Sequence, residues 1–266
     1  MIDSMNLELI KRIGIAAAYK SGAVLLANYG NLSEVLKKGA IDLVTEADTE
    51  SEGIIIETIR KVFPDHRILA EESGLSKGNA DYQWIIDPLD GTTNFAHQLG
   101  LFAISIAFAL KSETVVGTVF SPITGELFTA VKGEGALLNG RPISVSQSKT
   151  ISESLLVTGF PYNLRDHIDP LMKRFSKCLK ASQGVRRLGS AAIDLCFLAC
   201  GRFDAFWEQN LKPWDTAAGE LIAREAGAIV TDFSNKPFTI DKTEILASNG
   251  KIHKEMISLL TLEDAV

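Results

Sequence analysis

Residues 84–95 carry the side chains with the clearest chemical potential, and they read Trp-Ile-Ile-Asp-Pro-Leu-Asp-Gly-Thr-Thr-Asn-Phe. The apolar start predicts a buried strand, and Pro88 ends it because proline cannot donate a ladder hydrogen bond. The Asp-Gly step is typical of a turn, and Asp90 suits the N-cap of a short helix over Thr92–Phe95. Asp87 and Asp90 therefore lie between a strand end and a helix start, where carboxylates can bind Mg²⁺ and helix N–H groups can bind phosphate. The shorter Asp-Pro-x-Asp-Gly string also occurs in plain turns.

The longer string Asp-Pro-Leu-Asp-Gly-Thr-Thr-Asn-Phe resembles the signature of the inositol monophosphatase family of Mg²⁺-dependent phosphatases. The resemblance extends from about Leu7 to Leu260, because further motifs agree with the family in order and spacing. These motifs are Asp42-Leu-Val-Thr-Glu-Ala-Asp48, Glu71-Glu72-Ser73, Gly189-Ser190-Ala191-Ala192 and Trp214-Asp215-Thr216-Ala217-Ala218-Gly219. The resemblance implies an α/β fold with α and β layers, an α-β-α-β-α sandwich like that of inositol monophosphatase and fructose-1,6-bisphosphatase. It also implies one domain over residues 1–266, with a metal and phosphate half (about 1–145) and a substrate half (146–266).

Four carboxylates are the expected side-chain ligands of the metal, and a backbone carbonyl is the expected fifth ligand. The set is Glu71, Asp87, Asp90, Asp215 and the carbonyl of Leu89. Carboxylates that converge without a cation repel one another, whereas Mg²⁺ prefers oxygen ligands. Two Mg²⁺ ions match four carboxylates in charge, and a phosphate dianion leaves room for a third. Two alternatives stay open: Glu72 could replace Glu71, and Asp215 could be a helix cap.

The resemblance also implies how the nucleophile is prepared. Gly91 and Thr92 offer backbone N–H groups to the phosphate, and glycine at this position keeps a Cβ away from the anion. The Thr92 hydroxyl, paired with Glu71, orients a metal-activated water that attacks phosphorus directly. Asp48 supports the Thr92 hydroxyl, although Asp48 could equally be the cap of the helix that follows it.

The alcohol part of the substrate is expected to lie near Asp90, Glu208 and the backbone N–H of Ala191, with Arg186 on the substrate side. The pair Arg186-Arg187 could instead be solvated or lie at a dimer interface. The complete set of expected substrate contacts is Leu89, Asp90, Gly91, Thr92, Arg186, Ala191, Glu208 and Asp215.

Composition restricts the class of protein. The chain has 266 residues, 46% of them hydrophobic, and a net charge of −6, which argues against direct binding to nucleic acid or anionic membranes. Cys178, Cys196 and Cys200 lack the spacing of a disulfide framework, which indicates a reducing compartment. Charged residues interrupt the N-terminal apolar residues, and no apolar run reaches about 18 residues, so we expect a cytoplasmic protein without signal peptide or membrane span.

The order of predicted elements changes along the chain. Three strand patterns with short turns between residues 102 and 132 indicate an antiparallel sheet, whereas alternating strands and helices after about residue 150 indicate a more parallel one. Residues 5–29 have helical periodicity, and Gly74–Ala80 is predicted to be a mobile loop.

The functional expectation is hydrolysis of inositol 1-phosphate and related polyol or sugar phosphates, with two or three Mg²⁺ per site. Fructose-1,6-bisphosphatase or dual activity is the nearest alternative. The alternative of another class is a regulatory protein that binds the transcription machinery, because some bacterial members of the family associate with it. The resemblance also implies a homodimer and inhibition by lithium. Phosphoryl transfer from a nucleotide is not supported, because the sequence has no P-loop motif.

Overall fold

The computed structural model describes residues 4–31, 35–37, 43–161 and 168–262. The helices of this part of the chain are α1 (Ser4–Asn28), α2 (Glu46–Arg60), α3 (Thr92–Ala96), α4 (Ile168–Ala181), α5 (Ala191–Ala199), α6 (Pro213–Glu225) and α7 (His253–Leu260). The strands of the N-terminal half are β1 (Val35–Lys37), β2 (Leu43–Thr45), β3 (His66–Ala70), β4 (Gly74–Leu75), β5 (Asn79–Asp90), β6 (Ala103–Leu110), β7 (Glu113–Ser121), β8 (Glu126–Val131), β9 (Gly135–Leu138) and β10 (Arg141–Pro142). Those of the C-terminal half are β11 (Leu155–Thr158), β12 (Gly184–Arg186), β13 (Ala205–Gln209), β14 (Ile229–Thr231) and β15 (Glu244–Ser248).

Two large sheets organise the described residues. The first has the order β10-β9-β8-β7-β6-β5-β3-β4 and is antiparallel except where β3 runs parallel to β5. The second has the order β12-β11-β13-β15-β14, with parallel pairing of β11 to β12 and β13 and antiparallel pairing of β15 to its neighbours. A separate small sheet pairs β1 with β2. The prediction of a largely antiparallel N-terminal sheet and a more parallel C-terminal one is confirmed.

Alternation along β5 shows why the sheets are sandwiched between helices. Trp84 and Ile86 are buried with residues of α1 and α2, whereas Ile85 between them is buried with α5 and α6. Successive strand residues point to opposite faces, so both faces of this sheet must be covered. The far face of the second sheet packs on α4 and α7 through residues such as Leu156 and Leu246. The resulting order is α1/α2, first sheet, α5/α6, second sheet, α4/α7, which confirms the α-β-α-β-α sandwich.

Three local expectations are wrong. Gly74–Ala80 is not a loop throughout, because β4 occupies Gly74–Leu75 and β5 begins at Asn79. Asp48 is not an N-cap, since α2 already begins at Glu46. Asp90 does not cap α3 either: the N-cap is Gly91, whose φ of 98° puts it in the left-handed region that glycine tolerates. The sequence of residues 41–45 also predicts a short strand, and the structure describes only Leu43–Thr45 of it, as β2.

Candidate active site

The end of β5 places Asp87 and Leu89 at the centre of the site. Asp87 is 1% exposed, and one of its oxygens (Oδ1) accepts a hydrogen bond from the backbone N–H of Leu89 at 2.9 Å. The register between β5 and β6 shifts between Asp87 and Asp90, so β5 contains one extra residue there. Such a bulge bends the strand and redirects its side chains, which allows both aspartates to face the same region.

Thr92 lies just beyond this bulge and is connected to a distant helix. Its hydroxyl lies 3.1 Å from Oδ1 of Asp48 and 3.0 Å from the carbonyl oxygen of Leu89, and it can donate to either acceptor. Thr92 and Asp48 are both buried, with exposures of 6% and 1%. The turn of Gly91 makes this approach possible, because a Cβ there would lie 2.9 Å from the carbonyl oxygen of Leu101.

Glu71 follows β3 and is held by a carboxylate that the sequence did not single out. The Glu71 N–H donates to the carbonyl of Ile86, which extends the pairing of β3 with β5 by one residue. The two next N–H groups, of Glu72 and Ser73, each donate at 2.9 Å to the carboxylate of Glu52 on α2. Glu52 is 4% exposed, so a buried carboxylate fixes the backbone that carries Glu71. The structure places Glu71, and not Glu72, on the cavity.

Asp90 links the first half of the chain to α5. Its Oδ2 accepts hydrogen bonds from the Ser190 hydroxyl at 2.5 Å and from the Ala192 N–H at 2.7 Å. Ser190 is the N-cap of α5, where its hydroxyl also accepts from the Ile193 N–H at 3.3 Å. Asp90 therefore caps a helix that begins 100 residues later in the chain, and this contact brings the two halves together.

Asp215 lies in the first turn of α6, where Pro213 is the first helical residue. Its Oδ2 accepts from the Lys212 N–H at 2.7 Å, which satisfies one of the donors that a helix start leaves unpaired. Asp215 is therefore not the N-cap itself, but its side chain does take part in capping α6 through the N–H of Lys212. The remaining oxygen of the carboxylate is free of that bond while the residue still lines the cavity.

These segments surround a cavity of about 270 Å³ between the two halves of the chain. The expected site residues that line it are Glu71, Asp87, Leu89, Asp90, Gly91, Thr92, Ala191, Glu208 and Asp215. Asp48 lies outside the lining and reaches it through Thr92. Glu208 reaches it from β13 and is 7% exposed.

Arg186 does not line the cavity: it is exposed, and its guanidinium donates to the carbonyl of Val185. The neighbouring Arg187 lines the cavity instead, together with Lys212. Of the two arginines, the structure thus places Arg187 on the cavity, and the substrate role of Arg186 stays a prediction. Arg187 follows the last residue of β12 (Gly184–Arg186), and no local pattern in the sequence distinguishes the two arginines.

Burial and mutual repulsion dominate the electrostatics of the cavity. Burial, followed by the charges of Glu71, Asp90 and Asp215, raises the pKa of Asp87 well above its usual range. Burial likewise raises the pKa of Asp90 to about 6, against the hydrogen bonds from Ser190 and Ala192 that lower it. The pKa of Asp215 is raised by burial and then by the charge of Asp90. The folded chain thus gathers acidic groups whose charges oppose one another at neutral pH.

A divalent cation would relieve this repulsion, and the cavity residues fit a hard metal ion. The acidic lining offers oxygen atoms and includes no histidine or cysteine, which is the donor set that Mg²⁺ and similar ions prefer. Within the part of the chain that the structure describes, however, no three His, Cys, Asp or Glu side chains already converge on one metal position. Oδ1 of Asp87 and Oδ2 of Asp90 and Asp215 each accept a hydrogen bond from the protein. The residues therefore suit a metal in their chemistry, although their side chains do not converge on one position in this structure.

Solved structures identify the class of protein. An inositol monophosphatase from Anabaena superimposes with a TM-score of 0.87 at 44% identity, with 96% of each chain covered. An extragenic suppressor protein SuhB from Bartonella henselae gives a TM-score of 0.92 at 38% identity, covering 97% of this chain and all of the other. The layered fold with its acidic cavity is thus that of a class of phosphatases which generally depend on metals.

Sequence comparison then gives the family. Residues 6–263 match the family model described as inositol monophosphatase family. An inositol-1-monophosphatase of Synechocystis is 46% identical over 257 residues, which cover 96% of this chain and 90% of the relative. The chain belongs to the inositol monophosphatase family, as its motifs predicted, and is a phosphatase. Among the described residues, no helix combines the length and apolar character needed to cross a membrane.

Proposed function

We propose that the protein is a Mg²⁺-dependent phosphomonoesterase that hydrolyses inositol 1-phosphate and related polyol or sugar phosphates. The observation that carries the proposal is the position of Glu71, Asp87, Asp90 and Asp215 around one cavity, with pKa values raised by burial and by each other's charge. These residues come from three distant parts of the chain, and a cation is the simplest reason to gather them. The cavity receives residues from both halves, which supports one functional domain over residues 1–266.

Mg²⁺ is the proposed metal, with two or three ions per site. The ligands would be the four carboxylates and the carbonyl of Leu89, whose oxygen lies 3.0 Å from the Thr92 hydroxyl. Bound there, Mg²⁺ would supply positive charge for the phosphate and lower the pKa of a water molecule. Two ions offset the formal charge of the carboxylates, and a third offsets that of a phosphate dianion. A bound Mg²⁺ would keep part of its water, so the cavity would have to hold water as well as protein oxygen.

Thr92 and Asp48 would control the attacking water. Asp48 can accept a hydrogen bond from the Thr92 hydroxyl, which leaves the hydroxyl oxygen free to accept a hydrogen bond from a water molecule in the cavity. Glu71 lines the same space and can accept the other proton of that water, so the water would be oriented for direct attack on phosphorus. Backbone N–H groups of Gly91 and Thr92 would bind the phosphate oxygens. No covalent phosphorylated enzyme is required.

The opposite part of the cavity suits the alcohol of the substrate. Glu208 offers a carboxylate to sugar or inositol hydroxyls, and Ala191 offers its N–H at the start of α5. Asp90 is less available, because one of its oxygens already accepts two hydrogen bonds. Arg187, rather than Arg186, is positioned to meet an anionic or hydroxyl group of the substrate.

The experiment that tests the proposal is phosphate release by the purified protein with and without Mg²⁺. Four substrates separate the alternatives: inositol 1-phosphate, fructose 1,6-bisphosphate, 3′-phosphoadenosine 5′-phosphate and histidinol phosphate. We expect Mg²⁺-dependent hydrolysis of inositol 1-phosphate, and comparable rates on fructose 1,6-bisphosphate would identify a dual enzyme. Lithium inhibition is also expected from the family. Absence of phosphate release from every substrate would refute the proposal.

A second candidate function is regulation through the transcription machinery. It is favoured by a relative from Vibrio cholerae that carries the name Nus factor SuhB and is 46% identical over 242 residues, covering 90% of this chain and 91% of its own. A homodimer in the cytoplasm would suit both functions. Asp87→Asn separates them, because a role based only on binding predicts that the variant keeps its cellular effect while it loses hydrolysis.

A further inference from the structure

Glu208 occupies an unusual position for a carboxylate. It lies on β13 and is only 7% exposed, yet it lines the cavity. None of the described residues donates a hydrogen bond to its carboxylate. Burial raises the pKa of Glu208 most, the charges of Asp215 and Asp90 raise it further, and the charge of Arg187 lowers it. A buried acceptor without a donor is costly, so it is suited to accept hydrogen bonds from a ligand.

The Glu208 carboxylate lies directly against the backbone of Gly159. Thr158 of β11 pairs with Trp207 of β13, so the next residues of the two strands are neighbours. A Cβ built on Gly159 would lie 2.2 Å from each carboxylate oxygen of Glu208. Ordinary contacts of a Cβ begin at 3.4 Å, so any side chain at this position requires a displacement of about 1.2 Å or more.

The need for glycine at this position is steric and not conformational. Gly159 is absent from the glycines of the chain that have positive φ, and alanine can therefore adopt its backbone conformation. The atoms in conflict form the end of a flexible side chain, which can move without disturbing the strands. Substitution of Gly159 should thus leave the fold intact and relocate only the carboxylate of Glu208.

We infer that Gly159 is a specificity-determining residue, which acts by positioning the Glu208 carboxylate for the hydroxyl groups of the substrate alcohol. The inference rests on the proposed function and deepens it. It predicts that the absence of a side chain at residue 159 selects phosphate monoesters of hydroxyl-rich alcohols over those of alcohols without further hydroxyls. Gly159 takes no part in the reaction at phosphorus, since Glu208 reaches the cavity from the second sheet, whereas the β5 bulge lies in the first sheet and Thr92 begins α3.

The test compares two substrates that share the phosphate and differ in the alcohol. Inositol 1-phosphate carries ring hydroxyls, and p-nitrophenyl phosphate carries none. The measured quantity is kcat/KM for inositol 1-phosphate divided by kcat/KM for p-nitrophenyl phosphate. In Gly159→Ala this ratio should fall about ten- to a hundredfold, as expected for loss of hydrogen bonds to a charged acceptor. The fall should appear mainly in KM for inositol 1-phosphate, with kcat/KM for p-nitrophenyl phosphate and inhibition by inorganic phosphate unchanged. Gly53→Ala is the matched control, because a Cβ there meets nothing within 4 Å.

A double-mutant cycle gives the decisive comparison. In a Glu208→Ala background the carboxylate is absent, so adding Gly159→Ala should change the substrate ratio less than threefold. This comparison can be made even if the single variant Gly159→Ala does not fold. An unchanged ratio in Gly159→Ala, or a further tenfold fall in the Glu208→Ala background, would overturn the inference. Failure of the proposed function is a different result: the wild-type protein would then release phosphate from neither substrate.

Discussion

The acidic cavity predicts that the metal-free protein becomes less stable as pH rises, and that Mg²⁺ removes this dependence. Asp90 has a pKa of about 6 in the folded chain and an ordinary value of 3.8. Its folded pKa is raised, so its favourable contribution is complete below pH 3.8 and is lost as pH rises to 6. At about 1.4 kcal/mol for each tenfold change, the rise corresponds to about 3 kcal/mol of unfolding free energy.

Other ionisable groups also contribute to the pH dependence of the unfolding free energy. Asp87, Asp215 and Glu208 add to the effect, because burial raises the pKa of each. Surface pairs act in the opposite sense: hydrogen bonding by Arg202 lowers the pKa of Glu126, so that pair loses stability as pH falls. A difference between variants removes such common contributions. The comparison is wild type against Asp90→Asn, whose amide oxygen can still accept from Ser190 and Ala192, with exposed Asp241→Asn as the control.

The assay is thermal unfolding of EDTA-treated protein at pH 5 and pH 8, followed by circular dichroism. About half of the loss, roughly 1.4 kcal/mol, falls between these two pH values, because the unfolded pKa of 3.8 lies below pH 5. Wild type should therefore lose about 3–6 °C in Tm relative to Asp90→Asn, since 1 kcal/mol shifts Tm by about 2–4 °C in a chain of this size. A fixed Mg²⁺ concentration of about 100 times the Kd at pH 8 should restore about 2.7 kcal/mol at pH 8. The same concentration should restore much less at pH 5, where protonation of the carboxylates weakens Mg²⁺ binding. The reasoning is refuted if wild type and Asp90→Asn show the same pH dependence, or if Mg²⁺ stabilises both equally.

Three further substitutions probe separate contacts. Thr92→Val, which removes the hydroxyl that contacts Asp48, should lower kcat about a hundredfold while Thr92→Ser retains most activity, as steady-state assays would show; equal rates would exclude the proposed role. Glu52→Gln should lower the free energy of unfolding in urea by about 1–3 kcal/mol, because one of the two backbone N–H groups that Glu52 binds loses its acceptor. The same change should weaken Mg²⁺ binding, and an unchanged Mg²⁺ affinity by calorimetry would contradict this. Asp194→Asn should keep or raise Tm at pH 8, because both oxygens of Asp194 are buried without a hydrogen-bond partner and burial raises its pKa; a clear fall in Tm would show that its charge is needed.

Local patterns predicted the elements better than the contacts between them. The order of strands and helices and the strand that ends in Asp87 follow from apolar periodicity and proline chemistry, which act over a few residues. The partner of Asp90 lies 100 residues away at Ser190, and no local pattern contains that information. Sequence reasoning therefore assigned Asp90 to the nearest helix start, α3, although its carboxylate caps α5.

The same limit explains the residues that were missed. Glu52 reads as an ordinary helix-surface acid, and its role appears only when α2 is packed beside the backbone after β3. Gly159 is the last residue of a strand-like pattern that begins at Ser154, and its contact with Glu208 depends on the parallel pairing of β11 and β13. The position of Arg187 on the cavity likewise depends on tertiary packing, because Arg187 lies just beyond the end of β12. Family resemblance supplied the expected metal ligands, because acidic residues in separate motifs carry no local evidence of meeting.

A crystal structure of the protein with Mn²⁺ in place of Mg²⁺ and with inorganic phosphate would test the central claim most directly. Anomalous scattering would locate the ions, and oxygen ligands should lie at about 2.0–2.3 Å from them. The account predicts ions bound by Glu71, Asp87, Asp90 and Asp215, with phosphate against the backbone of Gly91 and Thr92. Ions bound elsewhere, or a cavity that stays free of anomalous density at saturating Mn²⁺, would contradict it.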